Sequence, residues 1–60
     1  MATKYLTIRC RAFASEGART NKISVDANGT IRVYDSISGH YTCCHSLSVA
    51  AQRRIQRQAR

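Results

Sequence analysis

Acidic residues are scarce in this chain. Glu16, Asp26 and Asp35 are the only three among 60 residues, against ten lysines and arginines, and none follows Asp35. So few carboxylates exclude the clustered set that a nuclease with a metal pair requires. They also leave a net charge of +7. Such a field attracts polyanions, and nucleic acid is the commonest of these inside a cell. Long apolar runs are missing as well. Nothing approaches the roughly 20 residues of a membrane-spanning helix, and the opening MATKYLTIRCRAF has no apolar stretch of the signal-peptide kind. A cytoplasmic location with no membrane partner is therefore expected. Cysteine occurs three times, an odd count in a chain with no export signal, which argues for free thiols rather than a disulfide framework. No repeat, linker or low-complexity tract interrupts the sequence, so residues 1–60 are expected to form one small basic domain.

The patterns that are present read as strands followed by a helix. A hydrophobic share of 43% suits a folded domain, but a chain this short buries only about 60% of its unfolded surface. A homodimer is one way to enlarge so thin a core. Residues 4–13, KYLTIRCRAF, alternate with period two: Leu6, Ile8, Cys10 and Ala12 fall on one face, and Tyr5, Thr7, Arg9 and Arg11 on the other. Residues 14–21 lack periodicity and read as a cationic loop. Residues 22–35 read as a hairpin whose loop length follows from register. A two-residue Asn28-Gly29 turn would set Val25 against Arg32 and mix the faces. A three-residue loop of Ala27, Asn28 and Gly29 pairs Val25 with Ile31 and Ile23 with Val33. Lys22, Ser24, Arg32 and Tyr34 then share the opposite face, and Gly29 takes the left-handed turn position.

Residues 36–39 form a second turn, and HYTCC returns as a short further strand, with Tyr41 and Cys43 expected inward and His40, Thr42 and Cys44 outward. From Ser46 or Ser48 the pattern becomes helical, with a serine as cap. At about 100° per residue, Leu47, Ala51, Ile55 and Ala59 make a stripe for the sheet, and Arg53, Arg57 and Arg60 make another elsewhere. The predicted fold is α+β: a small three- to four-stranded antiparallel sheet with one C-terminal α-helix packed on one face. In architecture alone this is similar to small plant-type DNA-binding domains that lay a three-stranded sheet in the major groove. None of their sequence motifs is present.

The sheet face turned away from the helix collects the candidate site. Tyr5, Arg9, Arg11, Lys22, Arg32 and Tyr34 share it, so cations can hold phosphates while tyrosine offers a ring to an unstacked base. Arg53 and Arg57 of the helix are further candidates for phosphate contact; no glutamate stands at i−4 to pair with either. The other suggestive stretch, GHYTCCH at 39–45, lacks the two-to-four-residue cysteine spacing of a zinc site, and adjacent Cys43 and Cys44 of a strand point to opposite faces. It also offers no third group to orient a Cys-His nucleophile pair. No catalytic residue, metal or cofactor is expected. The expected function is nucleic-acid binding, to DNA or RNA, mainly through phosphates. The alternative is a protein-interaction module, adaptor or inhibitor, that docks on an acidic partner protein.

Overall fold

The computed structural model describes residues 2–60. Four strands and one helix follow in chain order: β1 (Lys4–Cys10), β2 (Arg19–Val25), β3 (Ile31–Asp35), β4 (His40–Thr42) and α1 (Val49–Gln58). The strands form one antiparallel sheet in the order β1-β2-β3-β4. One face of the sheet buries Ile23, Val25, Ile31 and Val33 against Ala12, Leu47 and Ile55, with Leu6, Ile8 and Cys10 packed at the margin. Ile23, Val33 and Ile55 are the largest side chains fully withdrawn from water. Each contributes about 1.5–3 kcal/mol, a large fraction of the few kcal/mol by which so short a domain is normally stable.

The hairpin register is the one that alternation requires: Ile23 lies opposite Val33 and Val25 opposite Ile31. Gly29 takes φ +85°, and the Asp26 carbonyl accepts the Gly29 N–H at 3.0 Å. The Asp26 carboxylate accepts the N–H groups of Asn28 and Thr30, both at 2.9 Å, so one side chain closes the turn from inside. The helix begins where Ser48 caps it, its hydroxyl accepting the Ala51 N–H at 3.1 Å. Gln56 then donates to the Gly29 carbonyl at 2.7 Å. That bond ties the far end of α1 to the β2–β3 turn and sets the helix antiparallel to β1.

Three boundaries differ from the sequence expectation. β1 ends at Cys10 instead of running to residue 13. Ala12 sinks wholly into the core and its carbonyl accepts the Ser46 N–H at 2.7 Å, so the chain leaves the sheet to meet the segment that leads into the helix. Second, Arg19, Thr20 and Asn21 belong to β2 rather than to a loop. Asn21 secures this polar extension by donating to the Cys10 and Arg19 carbonyls, each at 3.0 Å. Third, β4 has the opposite parity. Tyr34 lies opposite Tyr41 and Val33 opposite Thr42, which puts Tyr41 on the face away from the helix. Its ring packs against other tyrosines there, whereas Cys43 lies past the end of the strand and is exposed.

Candidate functional site

The face away from α1 is organised by strand pairing. Tyr5 of β1, Ser24 of β2 and Arg32 of β3 form one cross-strand row, and Thr7, Lys22, Tyr34 and Tyr41 form the next. Arg9 pairs with Thr20 in a third row. In a flat sheet, strands one and four stand about 14 Å apart. Yet the rings of Tyr5 and Tyr41 meet edge to face with centroids 5.8 Å apart, and Tyr41 meets Tyr34 in the same way at 5.4 Å. Contact across two intervening strands brings the rings together over β2 and β3. The result is a cluster of three tyrosines on the face away from the helix. Ser24 beneath them is only 5% exposed although it lies on the side opposite the core. Tyr5 keeps 68% of its surface free, and the Lys22 ammonium stands 5.7 Å from the Tyr34 ring centre, within cation–π reach.

Charge on this face is unevenly available. Arg9 and Lys22 are exposed and make no ion pair among the described residues. Arg32 is half-buried, and its guanidinium lies 3.2 Å from the Asp26 carboxylate. The Thr30 N–H, and behind it the Asn28 N–H and Arg32, hold the Asp26 carboxyl below its ordinary range against a smaller opposing effect of desolvation. Arg32 is therefore partly committed to the turn, and a phosphate would have to share it.

The remaining predicted residues sit elsewhere. Arg11 lies beyond the end of β1, outside the tyrosine face. Arg53 and Arg57 stand about 160° around the helix from Ile55, which points into the core. They occupy the outer surface of α1, across the body of the molecule from the tyrosine face. The chain does not bring all its cations to one surface. Instead, Arg9 and Arg11 line an open cleft of about 620 Å³ together with Arg54, at the junction of β1 and the start of α1. Tyr41 is the residue that sequence reasoning missed, and Arg54, part of the same C-terminal arginine cluster as Arg53 and Arg57, is the one whose place beside β1 it did not specify. Pairing Asp35 with His40 across the 36–39 turn would have identified Tyr41, and the position of Arg54, one residue from Ile55 on the helical wheel, would have placed it on the helix flank.

The GHYTCCH stretch divides in space. His40, Cys43 and Cys44 are exposed. His45 turns inward: its Nε2 lies 3.2 Å from the Ile31 carbonyl, and its Nδ1 accepts the Leu47 N–H at 3.4 Å. Among the described residues no three histidine, cysteine or acidic side chains are grouped to hold a metal ion. No described helix is long and apolar enough to cross a membrane. Comparison with protein-family models, with curated proteins and with solved structures finds no match to this chain.

Proposed function

We propose that this chain is a cytoplasmic nucleic-acid-binding protein, without catalytic activity, that holds a single strand on its tyrosine-bearing sheet face. One observation carries the reading: Arg9 and Lys22, free of carboxylates, flank Tyr5, Tyr34 and Tyr41 on the face that the helix leaves uncovered. Cations beside aromatic rings are the combination that binds single strands, phosphates to the former and unstacked bases to the latter. The alternative, docking on an acidic protein, needs a sizeable apolar patch to anchor a dry interface. Beyond the tyrosine cluster, the exposed large apolar side chains among the described residues, Ile37 and Val49, stand apart on the β3–β4 turn and α1.

Fluorescence anisotropy with labelled single- and double-stranded oligonucleotides across a salt series tests the proposal. Single strands are expected to bind more tightly than duplexes, with a steep fall in affinity as salt rises. The double variant R9A/K22A is expected to reduce the log–log salt slope by about 0.7 for each lost phosphate contact. A preference for duplex, or no binding even at low salt, overturns the reading.

A further inference from the structure

The cleft between the end of β1 and the start of α1 has features that the tyrosine face lacks. Three arginines, Arg9, Arg11 and Arg54, are among the residues that line one open space of about 620 Å³. The walls between them are small side chains, Ala14, Ala50 and Ala51, which is why the space is open. No carboxylate lines it. The ion pairs of the described residues are Arg19–Glu16 and Arg32–Asp26, so all three arginines stand without a counter-charge. Three unpaired cations around one cleft repel one another, and an anion placed between them relieves that repulsion.

We propose that this cleft is a subsite for a terminal phosphate, the phosphomonoester at the end of a nucleic-acid strand; the inference rests on the binding reading above. An internal phosphodiester brings one negative charge and two free oxygens. A terminal phosphate brings a charge of about −1.5 to −2 at neutral pH and three free oxygens, which matches several guanidinium forks at once. The volume is in the range of pockets that enclose a nucleotide-sized ligand, so the last sugar and base fit with the phosphate. Position supports the assignment. Arg9 alternates onto the tyrosine face at the end of β1, and the residue also borders the cleft. A strand lying across the tyrosines therefore meets the cleft where β1 runs out.

The test compares short single-stranded oligonucleotides carrying a 5′-phosphate, a 3′-phosphate or hydroxyls at both ends, with the full chain and with the variants R54Q and R53Q. One phosphorylated end is expected to bind about tenfold more tightly than the hydroxyl-ended strand, a gain of the size of one charge-assisted hydrogen bond. R54Q should erase that advantage, and R53Q, on the outer surface of α1, should keep it. The advantage should also shrink below about pH 6, where the monoester takes up its second proton. The lining has no histidine or carboxylate, so that change belongs to the ligand. Equal affinity for all three ends overturns the subsite and leaves the tyrosine face standing. Binding of no oligonucleotide overturns both. An NMR titration with adenosine 5′-monophosphate separates the remaining source: shifts at the three arginines without any oligonucleotide binding overturn the strand-end assignment in favour of a free nucleotide.

Discussion

Replacing His45 with alanine removes a side chain that closes two backbone gaps at once. β4 ends at Thr42, so no strand residue lies opposite Ile31 on that side. The imidazole Nε2 takes the Ile31 carbonyl at 3.2 Å, and Nδ1 takes the Leu47 N–H at 3.4 Å. A carbonyl only accepts and a backbone N–H only donates, so the two bonds together call for the tautomer with its proton on Nε2. Each bond contributes about 0.5–1.5 kcal/mol net, and a buried carbonyl left bare costs about 1–3 kcal/mol. Ile31 is 4% exposed, so the second figure governs, and H45A should lose about 2–3 kcal/mol. For a domain of this size that is a fall in Tm of roughly 10–20 °C. H45N keeps an acceptor near the Nδ1 position and H45Q a donor near the Nε2 position, so both should fall between H45A and the parent in urea denaturation. Long-range proton–nitrogen NMR reads the tautomer directly. A proton found on Nδ1, or an H45A stability within about 0.5 kcal/mol of the parent, refutes the assigned role.

Other consequences are open to equally direct checks. G29A and G39A should each cost about 1–2 kcal/mol in denaturant, because both glycines have positive φ and a new Cβ meets at most ordinary contact, with the Gln56 amide at 3.4 Å from Gly29 and nothing near Gly39. No loss in either variant would show that the turns relax to another conformation. Asp26 has a lowered carboxyl pKa when folded, chiefly through the Thr30 N–H. Its contribution is therefore complete above the unfolded value near about pH 4 and is lost as pH falls through the folded value. D26N should show a shallower loss of stability in that acid range, measured by denaturation at several pH values. Y41A removes the middle ring of the cluster and two edge contacts worth about 0.5–1.5 kcal/mol each. It should weaken both the fold and single-strand affinity, whereas Y5A, at an exposed ring, should weaken affinity with little change in Tm.

The parts of the fold that could be read from sequence were those where two independent patterns agreed. The register of Ile23 with Val33 followed from alternation on both strands together with a glycine at the turn, and only one loop length satisfied all three. The helix was marked by a serine cap and an apolar stripe, Leu47, Ala51, Ile55 and Ala59, of which Ile55 is the helix residue that is buried. Errors arose where a single pattern stood alone. The alternation continues through Ala12, but the strand ends at Cys10 and Ala12 enters the core where its carbonyl meets the Ser46 N–H, so Arg11 lies beyond the strand that was expected to carry it. In β4 no long apolar residue marks a face, and tyrosine serves inside or outside equally well. The contact that joins Tyr5 to Tyr41 lies between the first strand and the last. Local periodicity carries no information about such pairs.

The strand order β1-β2-β3-β4 has a kinetic consequence. Each strand pairs with its neighbour in sequence, so the sheet assembles by successive short loop closures, the kind of local contact that favours rapid folding. The helix is the last of the five elements in chain order. During refolding the meander can zip up before its cover docks, leaving Ile23, Val25, Ile31 and Val33 bare on one side until Ile55 packs on them. In that interval the sheet is at its most vulnerable to association with other chains. Weakening the docking of α1, as in I55A, should therefore increase aggregation during refolding more than an equally destabilising change in the β2–β3 turn.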